Sequence, residues 1–162
     1  MCGIAGLFHL ETPKPVDPAR VQLMTDVQTH RGPDGSGIWT APGIGLGHRR
    51  LSIIDVAGSP QPMATADGAV TITYNGEVYN FAEIRTELEA LGHQFRTAGD
   101  TEVILIGYRQ WGVNMLPRLN GMFAVAIHDA RDQSLLLVRD RLGVKPLHYV
   151  ALADGSVAFS SE

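Results

Sequence analysis

Apolar and polar residues form three blocks along the chain: strand-like runs, then helical patterns, then strand-like runs again. The early runs lie in MCGIAGLF, GIGLGHRRLSIIDV and AVTITYNG, and the late ones in MFAVAIHD, SLLLVRDR, PLHYVAL and VAFSS. Strict alternation in AVTITYNG predicts a strand with one buried face. Because the strands are grouped and do not alternate with helices, we predict an α+β domain built from layers of sheets and helices.

The first helical pattern begins at Asp17, a predicted N-cap, with Pro18 in the first helical position. Its apolar residues are Val21, Met24 and Val27, and the segment HRGPDGSG after them is predicted to be a glycine-rich loop.

Two further helices are predicted in the middle of the chain. Asn80 and Glu83 resemble a capping box, and Gly92 would end the helix that follows them. The next helix is predicted from about residue 101 to 111, with Gly112 as its end.

Composition restricts the classes of function. The chain has 162 residues, of which 44% are apolar and 19% charged, so we predict a single globular domain over residues 1–162. A net charge of −4 without a basic run argues against a nucleic-acid partner, and no apolar run is long enough to span a membrane. The scattered histidines do not have metal-ligand spacing, so no metal site is expected. One cysteine and no export signal favour the cytoplasm.

The only cysteine is Cys2, directly after Met1. We expect Met1 to be removed, which would place a thiol and a primary amine on the same carbon. Both groups titrate near neutral pH, so the amine can accept the thiol proton without a histidine. Gly3 would let a substrate approach the backbone closely. The alternative is a small buried hydrophobe at a chain terminus.

Asn75 and Gly76 are candidates for an oxyanion hole, since they offer a side-chain amide and a backbone N–H without a neighbouring Cβ. The alternative is that Asn-Gly forms a hairpin turn, for which this dipeptide is a strong signal.

Three charged residues are candidates for binding an amino acid. Arg50 has the planar fork that suits a carboxylate, and Glu77 and Asp100 could bind an ammonium group. The alternatives are a surface arginine for Arg50 and a helix N-cap for Asp100.

Taken together, these stretches resemble the glutaminase domain of asparagine synthetases, which are class II glutamine amidotransferases of the N-terminal nucleophile hydrolase superfamily. The matching segments are MCGIAG, HRGPDGSG, HRRLSIID, QPM, YNGEVYNF, GDTEVIL, LNGMFAVAIHD and RDRLGVKPLHY. The resemblance extends over essentially the whole chain, from Met1 to the final SSE.

The resemblance implies a four-layer αββα fold and the hydrolysis of glutamine to glutamate and ammonia. It implies Cys2 as nucleophile, Asn75 and Gly76 as the oxyanion hole, and glutamine contacts from Arg50, Glu77 and Asp100. It further implies that the site is lined by the backbone of Leu51, Ser52, Ile53 and Ile54.

The resemblance also implies a partner, because asparagine synthetases continue into a domain that activates aspartate with ATP. The pyrophosphate loop of that domain, SGGxDS, is absent here. We expect a truncated chain whose synthetase domain acts in cis or in trans, and the alternative is a stand-alone protein that delivers ammonia to a separate partner. No cofactor is expected in residues 1–162, and ATP and Mg²⁺ would belong to the missing domain. A different ammonia acceptor, a non-catalytic amino-acid-binding module and a homodimer remain open alternatives.

Overall fold

The computed structural model describes residues 1–11, 13–52 and 58–162. Its strands are β1 (Gly3–His9), β2 (Gly35–Ala41), β3 (Ile44–Arg50), β4 (Met63–Ala64), β5 (Val70–Val78), β6 (Gly121–Asp129), β7 (Ser134–Arg139), β8 (His148–Ala151) and β9 (Ser156–Ser160). Its helices are α1 (Pro18–Asp26), α2 (Phe81–Ala90) and α3 (Asp100–Trp111), and a 3₁₀ helix follows at Gly112–Arg118.

The strands form two antiparallel sheets. The first sheet has the order β2-β3-β1-β9-β8 and the second has the order β4-β5-β6-β7. Helix α1 packs on β1, β2 and β3 of the first sheet. Helix α3 packs on β4 and β5 of the second sheet, and α2 packs against α3. The two sheets contact each other through β1, β3 and β5. These layers confirm the predicted α+β class and the αββα order.

Two apolar cores, together with a small third cluster of Leu7, Val16 and Val21, hold the described layers together. The larger core lies between the second sheet and its helices and includes Ile72 on β5 and Leu105 on α3, both fully buried. The smaller core lies between the sheets and joins Ile4 and Leu46 of the first sheet to Ala126 of the second. Its small residues on the second sheet let the two sheets approach closely.

Two predicted element boundaries were wrong. The segment HRGPDGSG is not entirely a loop, because β2 already begins at Gly35 and pairs with β3. Helix α1 ends at Asp26, so Val27 lies beyond the helix and is 72% exposed. The last part of the predicted strand GIGLGHRRLSIIDV, residues 53–57, lies outside the described residues.

The predicted helix caps had mixed outcomes. Asp17 is confirmed as an N-cap, since its carboxylate accepts a hydrogen bond of 2.9 Å from the backbone N–H of Ala19. Asn80 lies at the N-cap of α2, but its side chain makes no capping bond. Instead it donates to the carbonyl of Arg118 and accepts from the N–H of Asn120, so the capping-box prediction was wrong. These two bonds hold the start of α2 against the start of β6.

Strand β5 is buried on both faces, which contradicts the prediction of a half-buried strand. Every residue from Val70 to Asn75 is buried. Ile72 packs into the core beneath the helices, while Thr73 faces the first sheet and donates a hydrogen bond of 3.1 Å to the carbonyl of Gly47. The polar face of β5 therefore contacts another sheet and not solvent.

Within the described residues, no helix is long and apolar enough to cross a membrane. The same residues contain no group of three or more His, Cys, Asp or Glu side chains arranged to hold a metal ion.

Candidate functional site

A cleft of about 590 Å³, partly open to solvent, lies where β1 begins, β3 ends and α3 begins. The middle of β5 forms one side of it. The described residues that line the cleft are Met1, Cys2, Arg50, Leu51, Ser59, Gln61, Tyr74, Asn75, Gly76, Glu77, Gly99, Asp100, Thr101 and Lys145. Topology thus brings most of the predicted site residues into one place from four separate parts of the chain.

The Cys2 thiol lies against the backbone of Leu51. The Leu51 N–H donates to Cys2 Sγ at 3.3 Å, and the Leu51 carbonyl accepts from Sγ at 3.5 Å. The first bond favours a thiolate and the second a thiol, so the same residue can hold the sulfur in both protonation states. Arg31 fixes the adjoining backbone, since its Nε donates to the Cys2 carbonyl at 3.1 Å. The Met1 amine donates to the Arg31 carbonyl at 3.2 Å.

Gly3 was predicted to let a substrate approach the backbone, but the space that its side chain would occupy is filled by Gln28. A Cβ at Gly3 would lie only 2.6 Å from Oε1 of Gln28, a buried side chain on the first-sheet side of the fold. Gln28 Nε2 donates to the carbonyl of Ile4 at 3.2 Å. Gly3 is therefore required for close packing at the start of β1.

Asn75 and Gly76 do not form a turn. Both lie inside β5, where Asn75 is opposite Ala124 and Gly76 is opposite Phe123 on β6. A Cβ at Gly76 would collide with the carbonyl oxygen of Met122. The glycine is therefore required by the neighbouring strand, and β6 in turn fixes the position of the Gly76 backbone.

Hydrogen bonds along β5 indicate where the Gly76 N–H points. In a strand, every second N–H faces the same edge. The N–H of Tyr74 donates to Gln61 Oε1 at 2.7 Å, and the N–H of Val78 donates to Asp100 Oδ2 at 3.1 Å. Both partners lie on the side of β5 away from β6. The Gly76 N–H, midway between them, therefore points to the same edge, where the cleft opens.

The Asn75 side chain is buried, with 2% of its surface exposed. Its Nδ2 has no hydrogen-bond partner among the described residues. A buried amide donor without a partner is rare and costs roughly 1–3 kcal/mol. Since Asn75 lines the cleft, an acceptor bound there would satisfy this donor.

Asp100 is buried at the first turn of α3, where Gly99 and not Asp100 is the N-cap. Burial raises the pKa of Asp100, and hydrogen bonds from Tyr74 and from the Val78 N–H oppose that rise. The Tyr74 hydroxyl donates to Asp100 Oδ2 at 2.6 Å. Burial, together with the nearby Asp100 carboxylate, raises the pKa of Tyr74 well above its usual value, so Tyr74 remains a neutral donor.

Only some of the other residues predicted to bind the substrate are seen to line the cleft. Arg50 and Glu77 both line the cleft and are both half-buried. Ser52 does not line it; its N–H donates to Asp34 Oδ2 at 2.8 Å. Ile53 and Ile54 lie outside the described residues.

Sequence reasoning missed Arg31, Gln61, Tyr74 and Lys145. The segments HRGPDGSG, QPM, YNGEVYNF and RDRLGVKPLHY contain or adjoin these residues and were noted as motifs. Gln61 bridges two elements, since its Nε2 also donates to Thr101 Oγ1 at 3.3 Å. No spacing rule connects such distant positions, so only the fold brings them together.

The glutamine amidotransferase domain family matches this chain over residues 1–162. The chain is 43% identical to asparagine synthetase [glutamine-hydrolyzing] 3 of Bacillus subtilis (strain 168), over all of this chain and 26% of the relative. It is 39% identical to asparagine synthetase [glutamine-hydrolyzing] 2 of Oryza sativa subsp. japonica, over all of this chain and 27% of that protein. The chain thus spans about a quarter of the length of these curated relatives.

Solved structures are similar in fold. The glutamine phosphoribosylpyrophosphate amidotransferase of B. subtilis, complexed with ADP and GMP, superposes with a TM-score of 0.79 and 20% identity, over 99% of this chain and 42% of that chain. A glutamine aminotransferase class-II domain protein from Silicibacter pomeroyi has a TM-score of 0.52 and 16% identity, over 99% of this chain and 88% of that chain. At these identities the likeness shows the fold alone, and it agrees with the predicted four-layer αββα sandwich.

Proposed function

Because this chain belongs to the glutamine amidotransferase domain family, we propose that it hydrolyses glutamine to glutamate and ammonia through a thioester on Cys2. One observation carries the proposal. The only thiol of the chain lies in the same cleft as the unpartnered Asn75 amide and the buried Asp100 carboxylate.

Removal of Met1 would create the catalytic amine. The Cys2 thiol proton passes to that amine, and the sulfur attacks the side-chain amide carbon of glutamine. The Leu51 N–H, 3.3 Å from Sγ, supports the thiolate as it forms. The amine then returns the proton to the leaving nitrogen, and ammonia departs. Water attacks the thioester next, with the amine again as base, and glutamate is released.

Attack on the amide produces negative charge on its oxygen, which we assign to the Asn75 side chain and the Gly76 N–H. Both donors lie on a strand held by β6, so they need little rearrangement when the charge develops. A preorganised donor of this kind lowers the barrier by about 2.7–4 kcal/mol in other enzymes. The cost of burying Asn75 Nδ2, which has no partner among the described residues, would be recovered in the transition state.

The zwitterionic end of glutamine requires one cation and one or two anions. Arg50 supplies a guanidinium for the carboxylate, and Glu77 and Asp100 supply carboxylates for the ammonium group. Tyr74 and the Val78 N–H engage Oδ2 of Asp100, and both bonds favour its ionised form. The backbone of Leu51, which lines the cleft, is proposed to border the substrate.

The ammonia is proposed to serve ATP-dependent asparagine synthesis on a synthetase domain in cis or in trans. The names of the relatives support this acceptor, and the chain spans only about a quarter of their length. ATP and Mg²⁺ are proposed to bind that domain, and no cofactor is proposed for residues 1–162. A sugar, a peptide or another acid as acceptor, and a homodimeric assembly, stay alternatives. The net charge of −4 supports the absence of a nucleic-acid partner, and the single cysteine supports a cytoplasmic location.

Replacement of the nucleophile tests the proposal. We expect Cys2→Ala to release ammonia from glutamine at least ~10³ times more slowly than the wild type, with the same circular dichroism spectrum and thermal unfolding midpoint. Intact mass should show that Met1 is absent from active protein. The exposed Asn114→Ala variant, on the 3₁₀ helix away from the cleft, should keep full turnover.

Two results would contradict this mechanism. Turnover by Cys2→Ala would exclude the thioester, and turnover by protein that retains Met1 would exclude the amine as base. Binding of glutamine by the wild type without any release of ammonia would favour the alternative of a non-catalytic binding module.

A further inference from the structure

Lys145 is a charged residue of the cleft for which the proposed mechanism has no role. It lies in the loop between β7 and β8, and only 6% of its surface is exposed. Its backbone is fixed on both sides, since its N–H donates to Asp140 Oδ2 at 2.9 Å and its carbonyl accepts from Arg139 Nε at 2.8 Å. The side chain extends from this fixed loop into the cleft.

The ammonium group of Lys145 has a weak partner. Nζ lies 3.2 Å from the thioether Sδ of Met1, and no other hydrogen bond or ion pair of Nζ is seen among the described residues. An ammonium group offers three donors, and a thioether is a poor acceptor. A buried cation in such surroundings is costly unless another group benefits from its charge.

The distance to Cys2 is bounded by covalent geometry. Met1 Sδ is at most about 6 Å from the nitrogen of Cys2 along standard bonds. Nζ is therefore within roughly 9 Å of that nitrogen. Loss of Met1 would remove the one hydrogen bond of Nζ seen among the described residues and turn the Cys2 nitrogen into an α-amine.

We infer that Lys145 is an electrostatic positioning residue whose ammonium group, once Met1 is gone, faces the amine and thiol of Cys2 and favours the neutral amine and the thiolate. A neighbouring cation disfavours a second positive charge and stabilises a negative one. Both effects raise the fraction of Cys2 that is ready to attack at neutral pH. The role in turnover rests on the proposed function, whereas the effect on the thiol does not.

Other charged groups surround this pair and set the background against which Lys145 acts. Burial opposes ionisation of Asp140, but backbone N–H donors outweigh it and lower its pKa, so Asp140 is an anion beneath the Lys145 loop. Among the described residues, the other charged or titratable groups that line the cleft or contact its neighbouring backbone or the loop include Arg31, Arg50, Tyr74, Glu77, Asp100, Arg139 and the terminal amine. These groups are all kept when Lys145 is replaced, so a Lys145 variant reports the contribution of the Lys145 charge to the ionisation of Cys2.

The chain offers a matched control, because its only other lysine is the exposed Lys14. Lys145→Met keeps the length and apolar stem of the side chain and removes the charge, Lys145→Arg keeps the charge, and Lys14→Met removes a distant charge. Lys145→Gln is a second neutral variant for the case that Lys145→Met does not fold. All are compared as mature protein whose intact mass shows the loss of Met1.

The first readout is the rate of Cys2 alkylation by iodoacetamide from pH 5 to 9 without glutamine, which reports one site because the chain has one cysteine. We expect the midpoint of this profile to rise by about 0.5–1 pH unit in Lys145→Met and Lys145→Gln. The rate at pH 7 should fall about 3- to 10-fold. Lys145→Arg should restore the wild-type midpoint, and Lys14→Met should not move it.

The second readout is the acidic limb of kcat/KM for glutamine, which should shift in the same direction and by a similar amount. Wild-type profiles in both neutral variants would overturn the inference, as would an equal shift in Lys14→Met. A shift in alkylation by a protein that never hydrolyses glutamine would support the role of Lys145 and refute the proposed function, so the two can fail separately.

Discussion

The two faces of β5 are equally buried but differ in chemistry. The face toward the helices carries Val70, Ile72 and Val78, which pack into the larger core. The face toward the first sheet carries Thr71, Thr73 and Asn75, all with less than 3% of their surface exposed. Burial alone therefore does not separate the stabilising side of this strand from the side that leads to the cleft.

The difference teaches where this domain tolerates unsatisfied polar groups. On the sheet-facing side, Thr71 Oγ1, His48 Nε2, His128 Nε2 and Asn75 Nδ2 have no hydrogen-bond partner among the described residues. Such groups reduce stability. Asn75 has a proposed use for its free donor, whereas Thr71 has none. The polar face thus combines Asn75, for which a function is proposed, with positions that carry only a structural cost.

The largest expected effect compares adjacent residues on opposite faces. Ile72→Ala should lower the free energy of unfolding by about 2–5 kcal/mol, because Ile72 is fully buried under the helices. Thr71→Val keeps the shape of the side chain and removes an unpartnered hydroxyl, so it should leave stability unchanged or raise it by up to about 1 kcal/mol. Urea denaturation measures both. A loss in Thr71→Val as large as in Ile72→Ala would refute the distinction between the faces.

The next effect concerns activity at the functional end of the polar face. Asn75→Ala should lower kcat for glutamine about 10²–10³-fold, since it removes one proposed oxyanion donor. Its free energy of unfolding should change by less than about 1 kcal/mol, because the deleted Nδ2 has no partner to lose. Steady-state ammonia release and urea denaturation provide the two numbers. Equal losses of stability and activity would indicate a structural role instead.

His48 provides a pH-dependent comparison on the same face. Burial, and secondarily the positive charge of Arg50, lower the pKa of His48 from 6.5 to about 3, and its Nδ1 lies 3.2 Å from Thr73 Oγ1. The unfolded chain therefore binds a proton that the folded chain does not, between pH 6.5 and about 3. Stability should fall as the pH falls through this window, by about 1 kcal/mol per unit near pH 5.5. Urea denaturation from pH 5 to 7.5 measures this slope.

His48→Gln removes the titrating group. The slope of its free energy of unfolding against pH should therefore be smaller than that of the wild type by about 1 kcal/mol per pH unit near pH 5.5. The range from pH 5 to 7.5 is chosen because ordinary carboxylates stay ionised there. Identical slopes in His48→Gln and the wild type would show that His48 is protonated in the folded state, or that another group governs this range.

The smallest effect concerns a polar atom on the apolar face. Tyr74 packs into the helix-side core, but its hydroxyl reaches Asp100. Tyr74→Phe removes that donor, so Asp100 should be harder to ionise and KM for glutamine should rise about tenfold, with kcat changed less than about twofold. The exposed Tyr79→Phe is the matched control and should leave both constants unchanged. A drop in kcat with constant KM would instead place Tyr74 in the chemical step.

The sequence predicted the fold class, most strands and several of the residues that meet in the cleft, because alternation, caps and motifs are local signals. It could not show which neighbours leave no room for a Cβ at Gly3 and Gly76, since these are Gln28 and Met122, far away in sequence. The alternation in β5 predicts one solvent-exposed face, and this prediction was wrong. In the sequence, a polar residue that packs against a second sheet gives the same pattern as one that faces solvent. Lys145 illustrates the same limit, as it is 143 residues from Cys2 (145 − 2 = 143).

The free edge of β5 has a further consequence. An uncovered strand edge normally invites another strand, because its N–H groups lack acceptors. Here the Gln61 side chain closes the position at Tyr74 and the Asp100 side chain closes the position at Val78. The Gly76 N–H lies between these two positions and faces the cleft. In the proposed reaction, a substrate carbonyl bound there would pair with the Gly76 N–H as a neighbouring strand does. The reacting bond would then be recognised by the same pairing that builds the sheets.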